Sequence, residues 1–216
     1  MSKTAWIAGA SGLIGQLLVE QLAADDDYKR IIALVRTPLE SKTFQHPKVE
    51  QIKVNFEQLQ APSQQVDSLF CALGSTTRKT PNYDDYFRID VTYPLEFAKL
   101  GMSHGAQFYG LVSAHGANAS SLSSYLKMKG TLESELRALN YSRLAIARPS
   151  LLKGDRQEFR ILEKASEGLM SLLPGNYRAI NAKHVAQSLI QADKKQQPGT
   201  RILQSKEMQS PETIPF

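Results

Sequence analysis

The sequence predicts an α/β protein with a doubly wound parallel sheet and helices on both faces, in three α/β/α layers. Apolar runs of strand length alternate with apolar segments of helical period along most of the 216 residues. The first such run ends in three glycines spaced three residues apart. Strands that alternate with helices build parallel sheets, so we expect a single domain over 1–216, in which about 150–216 form a small substrate-side part.

The composition is that of an ordinary soluble protein, with 42% hydrophobic and 22% charged residues. The net charge of +5 comes from scattered lysines and arginines, so no basic arm for nucleic acid is expected. Cys71, the only cysteine, lies in an apolar run and is expected to be a small buried residue. With no leader segment and no apolar stretch of roughly 18 residues, we expect a cytoplasmic protein that binds a small molecule and no membrane.

The first predicted strand, Ala5–Ala8, leads into a turn that suits a pyrophosphate. One glycine of such a turn permits a positive φ, a second admits a pyrophosphate to the backbone, and a third lets the helix pack closely on the strand. Free N–H groups at the helix N-terminus then face the phosphate. The alternative is a packing turn that binds nothing. The residues predicted to hold a dinucleotide here are Gly9, Ser11, Gly12, Leu13, Ile14 and Gly15.

A second strand over 31–35 ends at Arg36 and Thr37, in the position that decides which dinucleotide is preferred. An acidic side chain there would accept hydrogen bonds from the ribose hydroxyls of NAD. A guanidinium and a hydroxyl suit the 2′-phosphate of NADP instead. NADP is therefore expected over NAD, and the alternative is a solvated arginine at a strand end.

The third and fourth strands lead to the two ends of the expected cofactor. Asn55 and Phe56 follow the third strand and are expected to contact the adenine. Leu73 and Gly74 follow the fourth strand, where the nicotinamide half would lie, because doubly wound sheets bind ligands beyond the carboxyl ends of their strands. Gly74 is equally consistent with a plain turn.

The alternation continues to the end of the chain. Further strands are predicted over 48–54, 68–73, 107–112, 143–147 and 201–203. Helices are predicted over 84–103, with a kink at Pro94, and over 121–139, 155–170 and 182–193.

On the helix predicted over 121–139, Tyr125 and Lys129 are four residues apart and therefore lie on one face. A lysine ammonium beside a phenol stabilises the phenolate, so the phenol can exchange a proton with a substrate. Ser113, at the exit of the fifth strand, is expected to hydrogen-bond a substrate carbonyl and orient it toward Tyr125. These three residues predict a general-acid site for carbonyl reduction. A surface pair on an amphipathic helix is the alternative for Tyr125 and Lys129.

Other polar residues are weaker candidates. Arg148, Arg156 and Arg160 follow the sixth strand and are candidates for an anionic substrate or a cofactor phosphate, although arginines on a helix are more often solvated. His115 is expected to enter the pocket beside Ser113. The remaining histidines have no carboxylate or cysteine at ligand spacing, so no metal site is expected.

In order and spacing these motifs resemble the short-chain dehydrogenase/reductase superfamily, in its atypical branch, and most of all the small Tat-interacting-protein-like oxidoreductases. The residues that carry the resemblance are Gly9-x-x-Gly12-x-x-Gly15, Gly74, Ser113, Tyr125-x-x-x-Lys129 and Arg148-Pro149.

The resemblance implies a Rossmann fold that binds NADPH, with the pyrophosphate on 12–15 and the 2′-phosphate at Arg36 and Thr37. It also implies that Lys129 holds the nicotinamide ribose. Asp90 is then a supporting residue on the helix before the fifth strand. Further implications are a cofactor contact from Arg148 and Pro149 and a homodimer formed through the helix over 121–139.

The expected function is that of an NADP-dependent oxidoreductase that transfers hydride between the nicotinamide and a small carbonyl or alcohol, with Tyr125 as general acid/base. One alternative is an NADPH-binding regulatory or redox-sensing interaction protein with little or no turnover. Another is an epimerase or dehydratase that uses the same three residues. The presence of Ser113, Tyr125 and Lys129 favours the enzyme, since a sensor needs only the glycine turn and Arg36.

Overall fold

The computed structural model describes residues 2–60, 62, 65–75, 80–153 and 178–214. Its strands are β1 (Lys3–Ala8), β2 (Tyr28–Val35), β3 (Val49–Lys53), β4 (Ser68–Cys71), β5 (Phe108–Val112), β6 (Arg143–Arg148), β7 (Leu152–Lys153), β8 (Ile180–Asn181) and β9 (Gly199–Gln204). Seven of them form one parallel sheet in the order β3-β2-β1-β4-β5-β6-β9, and β7 pairs with β8 in a small second sheet.

The helices of the described residues are α1 (Leu13–Ala24), α2 (Tyr83–Phe87), α3 (Tyr93–Ser103), α4 (Ser124–Ala138) and α5 (Ala182–Lys195). Short 3₁₀ helices cover Lys42–Gln45, Phe56–Gln58, Glu207–Gln209 and Pro211–Thr213. The helix predicted over 155–170 lies outside the described residues. Within the parts of the chain described, no helix has the length and apolar character needed to span a membrane.

A helical layer covers each face of the sheet. α1 and α5 pack on each other over one face, with Leu18 fully buried between them and the strands. α3 and α4 cover the opposite face, with Phe97 fully buried. Because successive strand residues point to opposite faces, Ile7 joins the first core and Ala8 joins the second. The predicted three-layer α/β/α fold is confirmed.

The direction in which strands are added reverses at β1. The chain places β2 and β3 on one side of β1, and β4, β5 and β6 on the other. Ala8 of β1 pairs with Cys71 of β4, Cys71 pairs with Leu111 of β5, and Val112 pairs with Ala147 of β6. The carboxyl ends of these strands therefore meet at one edge, and doubly wound sheets bind ligands in the crevice outside such a reversal.

The helix predicted over 84–103 contains one turn of π-helix, Arg88–Thr92, between α2 and α3. Pro94 lies in the first turn of α3. It has no N–H to donate to the carbonyl four residues earlier, so the regular α-helical pattern is interrupted before it. The π turn packs on α4 and buries Asp90 completely. The irregularity expected at Pro94 therefore brings a carboxylate to α4.

The residues after 178 complete the main sheet, since β9 pairs with β6 and forms the edge opposite β3. The substrate-side role of about 150–216 stays a prediction, because 154–177 lie outside the described residues.

Candidate active site

The glycine turn joins β1 to α1 at the reversal point of the sheet. Gly9 has a φ of +81°, and a Cβ there would lie 2.5 Å from the backbone of Ala72, after β4. A Cβ on Gly15 would lie 2.1 Å from the carbonyl oxygen of Gly9, so the helix can approach the turn only without one. Gly12 is the N-cap of α1, which has no side-chain cap and no acidic residue in its first turn. The remaining predicted residues of the turn are Ser11, Leu13 and Ile14.

The start of α1 thus carries no anionic side chain of its own, and its dipole favours an anion at this position. A pyrophosphate therefore fits the turn.

Arg36, Asn55 and Phe56 line one groove of about 340 Å³ at the carboxyl ends of β2 and β3. Arg36 is exposed, whereas Phe56 is buried and stacks on Tyr93 with ring centroids 5.8 Å apart. The side chain of Asn55 caps the short helix that follows it. Thr37 is exposed next to Arg36 but is not among the described residues that line the groove. Residues predicted for the adenosine end thus come together from two strands.

A buried ion pair lies at the other end of the crevice. The Lys129 Nζ is 2.7 Å from Asp90 Oδ1, and both side chains are almost completely buried. Asp90 Oδ2 accepts a hydrogen bond of 2.8 Å from the backbone N–H of Ser75. A Cβ on Gly74 would lie 3.6 Å from both charged atoms, and Leu73 packs on the core beneath α3 and α4. The exit of β4 and the π turn therefore meet α4 at this pair.

Lys129 keeps its positive charge in this buried position. Burial lowers the pKa of its ammonium, but the carboxylate of Asp90, with Tyr125 adding to it, raises that pKa above its ordinary value of 10.5. The Nζ lies 5.9 Å from the centroid of the Tyr125 ring, and Tyr125 is 38% exposed. The spacing of the two residues thus gives a buried cation beside a phenol that reaches solvent.

Ser113 differs from the expectation for a substrate-orienting residue. Its hydroxyl donates a hydrogen bond of 2.6 Å to Glu133 Oε1, in full burial. A serine hydroxyl has one proton, so in this structure Ser113 has none to offer a substrate carbonyl.

Arg148 is bound by the same carboxylate. Its Nε and Nη2 donate to the two Glu133 oxygens at 2.9 and 2.5 Å, and Arg137 adds a third contact at 3.1 Å. The guanidinium expected at the cofactor or an anionic substrate is therefore engaged in holding the end of β6 to α4. The hydrogen bonds to Glu133, together with its negative charge, raise the pKa of the Arg148 guanidinium above its ordinary value, although burial lowers it.

The neighbouring loop is tied to β6 as well, because the N–H of His115 donates to the carbonyl of Pro149 at 2.9 Å. Arg156 and Arg160 lie outside the described residues. Within the described parts of the chain, no group of three or more His, Cys, Asp or Glu side chains has an arrangement that could hold a metal ion.

Glu133, a residue of α4 that binds two of the predicted site residues, was not predicted from the sequence. Glu133 follows Lys129 by four residues, so the spacing that marked Tyr125 and Lys129 extends one turn further and was the available signal. At Gly130 a Cβ would lie 2.2 Å from the backbone of Asn118 and Ala119, which places α4 against the loop that precedes it.

The turn, the groove and the buried pair of Lys129 and Asp90 all lie along the carboxyl edge of the sheet, where doubly wound sheets bind ligands. The turn suits the pyrophosphate and the groove suits the adenosine. The phenol of Tyr125 has a cation beside it, and a phenol in that setting can act as an acid or a base toward a bound ligand.

Comparison with known proteins identifies the family and the fold of the chain. The family model described as NAD(P)H-binding matches residues 9–195. Protein HTATIP2 of Rattus norvegicus is 34% identical over 179 residues, which are 82% of this chain and 74% of that protein. Protein FMP52 of Candida glabrata is 33% identical over 159 residues, which are 73% of this chain and 68% of that protein.

A solved structure of UDP-N-acetylglucosamine 4-epimerase from Methanobrevibacter ruminantium M1 superposes with a TM-score of 0.73 at 16% identity. The match covers 94% of this chain and 76% of that chain, which shows that the two share a fold.

The expectation of a cytoplasmic location is corrected by these relatives. FMP52 of Candida glabrata and its counterparts in other fungi are named as mitochondrial proteins. The expectation of a cytoplasmic location is therefore wrong. The family model and the relatives agree on the identity of the domain: the chain belongs to the NAD(P)H-binding family, and its fold is Rossmann-like.

Proposed function

We propose that the protein is an NADP-dependent oxidoreductase that transfers hydride between the nicotinamide and a small carbonyl or alcohol, with Tyr125 as general acid/base. One arrangement carries this proposal: Lys129 is paired with Asp90 and lies beside Tyr125. Its buried ammonium is 5.9 Å from the centroid of the partly exposed phenol ring. A protein that only bound a dinucleotide would not need a charged lysine beside a phenol.

In the direction of reduction, the phenol of Tyr125 donates its proton to the carbonyl oxygen while the carbonyl carbon accepts hydride. The phenolate that remains is stabilised by the ammonium of Lys129. Asp90 acts as a positioning residue, because it holds that ammonium and the backbone of Ser75 at the same point. In oxidation the same groups act in reverse, and the phenolate accepts the proton of the alcohol.

The preference for NADP is supported by the groove at the adenosine end. Arg36 lines it and follows β2 directly, in the position where a carboxylate would select NAD. A guanidinium is suited to a phosphate there, because it offers two parallel donors to one phosphate group.

The test combines calorimetric titration with NADPH and NADH with a turnover screen of small aldehydes and ketones. We expect Tyr125→Phe to lower turnover about 100-fold or more, the usual contribution of a general acid. NADPH affinity should change little, because the phenyl ring and Lys129 remain. Tyr83→Phe is the matched control, since Tyr83 is an exposed tyrosine of α2. Equal turnover in wild type and Tyr125→Phe, or equal loss of cofactor binding and turnover, would overturn the proposal.

A second candidate is an NADPH-binding regulatory or sensing protein, and one observation favours it. The hydroxyl of Ser113 is bound to Glu133, so the third member of the predicted acid site is withdrawn from a substrate. If the wild-type protein binds NADPH but reduces no compound of the panel, this second function is preferred. NADPH consumption that depends on Tyr125 excludes it.

A further inference from the structure

The groove at the adenosine end has arginines on two of its sides. Arg36 lines it from the end of β2, and Arg88 lines it from the π turn, which follows β4 in the chain. The stacked rings of Phe56 and Tyr93 also line it. Arg36 was predicted to bind a phosphate from its place after the second strand. Arg88 was not predicted, because only the fold brings it to the groove.

Charges of both signs line the groove, and one of its arginines is paired with a carboxylate. Its described lining contains two cations, Arg36 and Arg88, and two anions, Glu57 and Asp85. The Nη2 of Arg88 is paired closely with Asp85 Oδ1 one turn earlier on the helix. That pair is half exposed, with side-chain exposures of 51% and 48%. Exposed pairs of this kind contribute little free energy, so a more strongly charged anion can replace the carboxylate.

A phosphate monoester is such an anion. It carries about 1.5 to 2 negative charges near pH 7 and three acceptor oxygens, against a single charge on a carboxylate. One guanidinium satisfies two of those oxygens, and a second guanidinium in the same groove can bind the third. Two arginines that line one groove therefore distinguish a phosphate from a ribose hydroxyl better than one arginine does.

We propose that Arg88 acts with Arg36 to bind the 2′-phosphate of NADP, and that Asp85 holds Arg88 in the free protein and competes with the phosphate for it. Arg88 is thus a specificity-determining residue for the cofactor. This inference rests on the NADP preference proposed above.

The test measures NADPH and NADH affinities by calorimetry at one salt concentration, for wild type, Arg88→Ala and Asp85→Asn. Arg88→Ala should weaken NADPH about tenfold or more, as expected for hydrogen bonds to a charged group, and leave NADH nearly unchanged. Asp85→Asn should strengthen NADPH by about two- to fivefold, the range of a surface ion pair, without affecting NADH. When Asp85→Asn is combined with Arg88→Ala, the gain in NADPH affinity should disappear, because Asp85 acts through Arg88.

The pair Glu96 and Lys99 on α3 provides the matched control. It has the same spacing of three residues and the same half exposure, but it does not line this groove. Glu96→Gln and Lys99→Ala should leave the NADPH to NADH affinity ratio unchanged. Raising the salt concentration should lower that ratio in wild type and lower it less in Arg88→Ala, because exposed charges are screened.

The two levels of proposal fail in different ways. A wild-type protein that binds NADPH and NADH equally overturns the NADP preference itself. A wild type that prefers NADPH, with the same preference in Arg88→Ala, overturns the role of Arg88 alone. An Asp85→Asn variant with unchanged NADPH affinity overturns the competition by Asp85. Arg88→Lys keeps the positive charge but lacks the planar guanidinium. Its NADPH affinity should therefore lie between those of wild type and Arg88→Ala.

Discussion

Lys129 is the residue whose charge the site depends on most, and its stabilising effect depends on pH. Its folded-state pKa is raised above 10.5, so the paired ammonium contributes its full stabilisation below that value. As the pH rises through the folded pKa, the ammonium loses its proton and the contribution disappears. The carboxylate of Asp90 then loses its cationic partner.

We therefore expect Lys129→Met to lower the free energy of unfolding by about 3 to 5 kcal/mol near neutral pH, because it leaves Asp90 buried and unpaired. The difference from wild type should stay constant up to about pH 10 and shrink as the pH rises beyond about 10.5, through the raised pKa of Lys129. Urea denaturation across that range measures it, and comparison of the two proteins cancels the titration of their shared tyrosines. Lys127→Met, at an exposed position of the same helix, should show neither effect. A difference that stays constant with pH would contradict the assignment.

Single residues were predictable from the sequence where their partners are local. Tyr125 and Lys129 are one helical turn apart, so their spacing alone put them on one face. The use of Ser113 was not predictable, because its partner Glu133 is chosen by the packing of β5 on α4. Asp90 reaches Lys129 through a π turn, which leaves no periodic signal in the sequence.

At the scale of elements, the position of α4 depends on Gly130. Gly130→Ala gains about 1 kcal/mol of helix propensity, but its new methyl group would lie 2.2 Å from the backbone of Asn118 and Ala119. Backbone cannot move aside as a side chain can, so the steric cost of about 1 to 3 kcal/mol or more should prevail and lower the melting temperature.

Gly101→Ala in α3 is the matched variant. There the new methyl group meets the side chain of Leu69, which can change its rotamer. Thermal denaturation of both variants should show the larger loss for Gly130→Ala, with impaired turnover in that variant alone because α4 carries Tyr125 and Lys129. A larger loss for Gly101→Ala would mean that the loop before α4 adapts easily.

The seven strands of the main sheet and the helices α4 and α5 follow from apolar periodicity, since their predicted and observed bounds differ by about three residues or fewer. The short strands β7 and β8 and the 3₁₀ helices were not predicted. The exception is the stretch 84–103, where periodicity of the apolar residues continues through the π turn and hides it. One extra residue in a single turn changes which side chain is buried without breaking the pattern. A proline in the sequence marked the place but not the kind of irregularity.

At the scale of the whole molecule, Asp193 joins four strands from its position on α5. Its fully buried carboxylate accepts hydrogen bonds from Lys3 of β1, Tyr28 of β2, Ser68 of β4 and Arg143 of β6, at 2.9, 2.6, 2.7 and 2.8 Å. Burial and the carboxylate both raise the pKa of Tyr28, so its hydroxyl remains a donor. The cluster lies at the amino ends of the strands, away from the candidate site.

Asp193→Asn should therefore lower the free energy of unfolding by about 3 to 5 kcal/mol, because two buried cations lose their counter-ion. NADPH affinity of the folded variant should be unchanged. Glu50→Gln is the control, since the pair Arg30–Glu50 is about 40% exposed and should contribute less than about 1 kcal/mol. Equal urea midpoints for Asp193→Asn and wild type would show that the cluster adds nothing to stability.

The fold class could be predicted as a whole because a parallel sheet follows from the alternation of strands and helices. The Asp193 cluster could not, since its members are spread over 190 positions of the chain and no local pattern connects them. The cellular location could not be predicted from the composition either. The fungal relatives, which are named as mitochondrial, contradict the expected cytoplasmic location.

The packing of α1 on α5 has a consequence for the order in which the chain matures on the ribosome. The apolar face of α1 that includes Leu18 and Leu22 is covered by α5, a helix that is synthesised more than 150 residues later. A nascent chain that ends before residue 182 exposes that face and the flank of β6 that β9 will occupy. Native packing of this face therefore waits until α5 and β9 have been synthesised, and until then the nascent chain exposes apolar surface of the kind that promotes aggregation.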